Sequence, residues 1–154
     1  MEAALGKRRF TFCAVDYEMH ADRYQAQVGK QTDIALFALS NLAPGGVEAM
    51  KDQIKDFDKV EITPDLVRLI PAGDFANDHA VIGRVLSHRD DEMEGMPVRA
   101  YRVQVIRGAD LTLVLELVVE RDKSRPFPDQ SMVHGSARLF GYLPIAETAP
   151  LQEA

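Results

Sequence analysis

Between residues 80 and 143 apolar and polar side chains alternate in four runs, 80–88, 98–107, 111–121 and 133–143. A period of two is the signature of a strand, because successive side chains point to opposite faces. The gap Arg107-Gly108-Ala109-Asp110 is turn-length, so the middle two runs are expected to form a hairpin. Asp90 to Gly95 reads as an acidic loop. Lys123 to Gln130, with Pro126 and Pro128, reads as a longer one. Four strands joined this way predict an antiparallel β-meander, closing at most into a small, partly open barrel.

The alternation also sorts the meander into faces. One collects Val81, Gly83, Val85, Tyr101, Val103, Val105, Leu111, Leu113, Leu115, Leu117, Ala137, Leu139 and Leu143. It is almost purely aliphatic and is the expected core. The other mixes Ile82, Leu86, Ala100, Ile106, Val114, Val118, Phe140 and Tyr142 with Arg84, His88, Arg102, Gln104, Thr112, Glu116, Glu120, Ser136 and Arg138. A one-residue slip in any strand would exchange its two sets.

The first half is less regular. Residues 8–19 read as a strand and 24–28 as a second short one. The run Ile34-Ala-Leu-Phe-Ala-Leu39 is apolar all round and is expected to be a buried helix. Val47, Met50, Ile54 and Phe57 recur at helical spacing, opposite Glu48, Lys51, Asp52, Lys55 and Asp56. Pro44-Gly45-Gly46 separates the two helices. Residues 60–71 fit either a helix begun at Pro64 or a strand ended by Pro71. The expected fold is therefore α+β, with the meander packed against a helix pair. One domain is expected over 1–154: a strand and helix-pair half at 8–71, the meander at 80–143 and a loose tail at 144–154.

Charge narrows the function classes. The chain of 154 residues carries a net −6, spread evenly: residues 1–77 and 78–154 each hold 9 basic and 12 acidic side chains. Whole-molecule attraction to nucleic acid is not expected, since phosphate binding needs clustered cations. The second half does hold eight Arg against one Lys, and Arg is the better residue for fixed planar ion pairs and anion clamps. No apolar run follows the charges at the N-terminus, so no leader is expected. No stretch approaches the ~20 apolar residues of a membrane span. A single cysteine, Cys13, fits the cytoplasm and reads as a small buried hydrophobe.

No phosphate loop, nucleophile elbow or cysteine pair is present. His20, His79, His88 and His134 are too far apart in sequence for a local metal motif. No metal and no cofactor is expected, and the enzyme question stays open, leaning against. The mixed face is the candidate site, with Arg84, His88, Arg102 and Arg138 for a small anion and Tyr142 for stacking. Its plainer reading is cross-strand ion pairs of Arg84, Arg102 or Arg138 with Glu116 and Glu120. The leading function is a binding or assembly protein that pairs with itself or another protein through this face. One alternative is a small enzyme using His79 or His88 with a carboxylate between helices and sheet. Another is an oligonucleotide-binding barrel, which the charge disfavours.

Overall fold

The computed structural model describes residues 1–5, 8–15, 17–30, 34–50, 66–107, 112–122 and 125–144. In chain order its elements are β1 (Glu2–Leu5), β2 (Arg8–Thr11), β3 (Cys13–Ala14) and α1 (Tyr17–Gln27). Then come β4 (Ala35–Pro44), a 3-10 turn at Val47–Met50, β5 (Arg68–Pro71), β6 (Asp78–Met93), β7 (Met96–Arg107), β8 (Thr112–Glu120) and β9 (Met132–Tyr142).

Five of these strands form a closed ring. β6 runs antiparallel to β7, and β7 to β8. β8 lies parallel to β4, which is antiparallel to β9. β9 then pairs antiparallel with the first half of β6 and shuts the barrel. β5 adds to β6 and β3 to β9 outside the ring, while β1 and β2 form a separate hairpin.

The stagger of the ring follows from its register. From Ala38, partners step through Leu117 and Tyr101 to His88. In the other direction they step through Leu139, whose N–H donates to the Asn77 carbonyl at 3.0 Å. Residues 77 and 88 are eleven apart, or ten after discounting one bulge residue in β6. So large a shear over five strands tilts them steeply and leaves a lumen that side chains fill.

That filling is the aliphatic set sorted from sequence. Val81, Val85, Tyr101, Val103, Val105, Leu115, Leu117, Ala137 and Leu139 are all buried and pack together with Ala38, Val133 and Phe12. Burying each large apolar side chain contributes ~1.5–3 kcal/mol. Leu143 is also buried, beside Tyr24 of α1, whose hydroxyl accepts its N–H. Leu111 lies outside the described residues.

The helix pair is overturned. Residues 35–44 form β4, the strand that closes the ring between β8 and β9. A short, all-apolar run has no period to distinguish helix from strand. Here the open edges of β8 and β9 supply backbone partners on both sides. Of the expected second helix, only the 3-10 turn lies among the described residues, and 51–65 lie outside them. The sole α-helix described is α1, where the sequence pointed to strand. Its φ of −135° at His20 breaks the helical geometry, and Tyr24 alone on it is buried. β5 settles 68–71 as strand. Cys13 is exposed on the short outer strand β3, not buried.

The expected acidic loop is strand as well. β6 and β7 pair as far as Met93 and Met96. Glu94 and Gly95 turn the chain with φ of 52° and 80°. Positive φ at both central residues is the tight hairpin geometry that Gly at the second position favours.

Candidate functional site

Two bulges decide where the predicted site residues point. The register of β6 slips at Leu86, between Val85 and Ser87, and that of β7 slips at Val105, between Gln104 and Ile106. Each bulge inserts one residue and exchanges the faces beyond it. Past the first, His88 turns to the side of Tyr101, with ring centroids 5.8 Å apart, but stays exposed beyond the filled lumen. Past the second, Ile106 joins the core. Neither stays on the mixed face.

The others divide between the β6–β7 pair and β9. Arg84 donates to the Gln130 carbonyl at 3.2 Å. Arg102 is exposed on β7, and Tyr142 is exposed at the end of β9. Arg138 on β9 is bound by Asp78, with its Nε 2.7 Å and one terminal nitrogen 3.3 Å from the carboxylate. The Phe75 ring lies 4.6 Å from the same guanidinium. The Arg138 bond holds the Asp78 carboxyl below the usual carboxylate range, against partial desolvation. Arg84 and Arg102 thus stay close on adjacent strands, through the Arg84–Gln104 and Ser87–Arg102 pairs, while His88 lies on the Tyr101 side and Arg138 and Tyr142 lie on β9.

The expected pairing with Glu116 and Glu120 is also corrected. Glu116 accepts instead from Arg89 of β6. Arg89 faces Ala100, while Glu116 faces Arg102, so this pair reaches diagonally across β7. It helps bury Ala100, which packs outside the barrel with Val98 and Val118.

Val98 and Val118 open onto a groove of about 540 Å³ on the outer wall. Leu39 and Phe140 floor it on β4 and β9, Val98 and Val118 on β7 and β8. Met93 and Met96, from the tip of the β6–β7 hairpin, form one wall. The Arg138–Asp78 pair and Gly73 stand at its margin. Leu39 is 43%, Met93 40% and Met96 53% exposed. The hairpin passes the end of β8, whose last partner is Val98 opposite Glu120. Arg121 N–H still donates to the Pro97 carbonyl at 3.1 Å, so the residues that reach past this segment, Glu92 to Met96, form a short arm.

A second cleft, of about 410 Å³, opens at one mouth of the barrel. Its walls are Ser40, Leu42, Arg99, Tyr101 and Val119 on the lumen side, with Glu120, Asp122, Arg125 and Phe127 at the rim. Arg99 is nearly buried and donates to Asp90 at 2.8 Å; Arg121 approaches the same carboxylate at 3.4 Å. Arg99 first, and Arg121 less strongly, hold the Asp90 carboxyl below its ordinary value.

The histidines stay apart. His79 is buried with Nδ1 against the Asn77 carbonyl, and His134 Nδ1 lies against the Gly45 carbonyl. His88 is 4.0 Å from Asp129 on the surface, and His20 sits on α1. Neither cleft is lined by a histidine. Among the described residues no three His, Cys, Asp or Glu side chains group as a metal site. No described helix is long and apolar enough to cross a membrane.

Sequence reasoning placed Val118, Phe140 and Arg138 at the mixed face but missed Leu39, Met93 and Met96. Leu39 was hidden by the helix reading and the methionines by the loop reading. The available signal was Met93-Glu94-Gly95-Met96, a two-residue turn flanked by apolar residues. No family model matches the chain, and no curated protein or solved structure matches it.

Proposed function

We propose that this is a non-catalytic binding and assembly protein whose outer groove takes the hairpin arm of a second copy of the chain. The observation that carries the reading is the groove itself. Leu39, Met93 and Met96 lie exposed beside Val98, Val118 and Phe140, on the outside of a barrel whose lumen is already filled. Soluble monomers rarely leave contiguous apolar surface without a use for it. Methionine adapts its shape to a partner at low cost.

A second copy is favoured over a foreign partner because arm and groove belong to one molecule. A two-fold contact needs a self-complementary patch. Here the arm projects past β8 and carries apolar side chains of the kind its own groove accepts. The oligonucleotide alternative has less support. Arg89, Arg99 and Arg138 each hold a carboxylate, and a phosphate would have to displace it. The enzyme alternative lacks a histidine in either cleft.

Sedimentation equilibrium across the micromolar range tests this. The wild-type chain is expected to form dimers, and Met96→Glu or Leu39→Lys to remain monomeric with unchanged melting temperature. A wild-type monomer throughout refutes self-pairing. A dimer indifferent to both substitutions refutes the groove. A monomer that saturably binds an apolar peptide assigns the groove to a foreign partner instead.

A further inference from the structure

We infer that the cleft at the barrel mouth is a second binding site, for a small neutral polyhydroxylated molecule of sugar-ring size. Three observations carry this. The first is Ser40, whose Oγ is buried with no hydrogen-bond partner. On β4 it follows Ala38 by two residues and so points to the lumen side, at the wall of the cleft. A buried hydroxyl without a partner is costly, and alanine would be the stabler residue there. A ligand hydroxyl entering the cleft would satisfy it.

The second is the balance of charge. The lining holds Arg99 and Arg125 against Glu120 and Asp122. Arg99 is further committed to Asp90. Among the described residues the wall is balanced in charge, and a balanced wall does not select an anion such as phosphate. It does offer donors and acceptors side by side, with Asn41 adding an amide. Hydroxyl groups, which donate and accept at once, match such a wall.

The third is shape. The volume of about 410 Å³ lies within the ~300–1,000 Å³ of small-molecule sites. Phe127 and Tyr101 close one side, with ring centroids 5.3 Å apart, and the Phe127 N–H donates to the Tyr101 hydroxyl at 3.1 Å. Leu42 and Val119 supply further apolar wall for the C–H face of a ring. The cleft adjoins the outer groove, sharing Ser40, Asn41, Val119 and Glu120 with it, but its aromatic and arginine walls, Tyr101, Phe127, Arg99 and Arg125, belong to the mouth alone.

The experiment is ligand-observed saturation-transfer NMR and titration of the full chain with D-ribose, D-glucose and myo-inositol, with inorganic phosphate as the anionic comparison. At least one polyol is expected to bind saturably, and more tightly than phosphate. Ser40→Ala is expected to weaken that binding by roughly 3–10-fold, the value of one hydrogen bond. The same substitution is expected to raise the melting temperature of the ligand-free protein. Arg125→Gln, at an exposed position, should weaken binding without moving the melting temperature. Failure of all three polyols to bind, tighter binding of phosphate, or a lower melting temperature for Ser40→Ala overturns the proposal.

Discussion

Gly135 is the position where closure of the barrel is most exposed to test. It lies in β9 between Leu42 of β4 and Val81 of β6, hydrogen-bonded strands on either side. A Cβ added there would sit 1.8 Å from the Asn41 carbonyl oxygen and 3.1 Å from Leu42 Cα. Carbon and carbonyl oxygen ordinarily approach no closer than ~3.3 Å. The obstructing atom is backbone, so no rotamer relieves the clash, and β9 must move ~1.5 Å from β4. Overpacking a core costs ~1–3 kcal/mol. Stretching the two adjacent ladder bonds costs ~0.5–1.5 kcal/mol each. Gly135→Ala is therefore expected to lose ~2–6 kcal/mol. At ~2–4 °C per kcal/mol for a chain this long, the melting temperature falls ~4–24 °C. Urea titration followed by circular dichroism measures it. The comparison is Gly95→Ala, where a Cβ meets nothing within 4 Å and only the positive φ costs about 1 kcal/mol. If Gly135→Ala loses no more than Gly95→Ala, β9 is not clamped between β4 and β6, and the ring is open.

Other expectations concern charge. Asp90 has its carboxyl held down by Arg99 and Arg121 when folded. Its contribution is full above the ordinary carboxylate range and fades as pH falls through the folded value, because the unfolded chain takes the proton first. Melting temperature against pH should thus fall less steeply on the acid side in Asp90→Asn; coincident slopes would show that the ion pair is not formed. Asp78→Asn should flatten the same acid limb through Arg138, and an unchanged profile would count against that contact. The proposed pairing through the apolar groove would join two copies of net charge −6. Raising salt shortens the screening length from ~8 Å at 0.15 M to ~3 Å at 1 M, so the dimer should tighten. A several-fold weakening would mean that ion pairs hold it instead.

Strand identity in the runs 80–88, 98–107, 111–121 and 133–143 and the identity of the lumen were readable in the sequence, since a filled barrel imposes alternation. Closure was not. It rests on β4, whose sequence Ala35-Leu36-Phe37-Ala38-Leu39 is apolar on both sides. Leu36 and Ala38 face the core while Phe37 and Leu39 face outward. Such a run carries no period. The two bulges were equally silent, because Leu86 and Val105 look like ordinary strand residues. Those bulges took His88 and Ile106 off the mixed face, which left Arg84 and Arg102 together on β6 and β7, with Arg138 and Tyr142 on β9. What survives of the candidate face is its apolar part, Val118 and Phe140, with Arg138 at the margin. The groove became visible only when Leu39 and the two methionines were brought to them by closure and by the Glu94-Gly95 turn.

The central claim is that the groove takes the arm of a second copy. Methyl NMR of the methionines tests it most directly, by following each resonance as the protein is diluted. Met93 and Met96, at the tip of the arm, should shift together with a single dissociation constant. Met19, 79% exposed on α1, should not move. Static Met93 and Met96 resonances in a protein that sediments as a dimer, or a shift confined to Met19, would contradict the account.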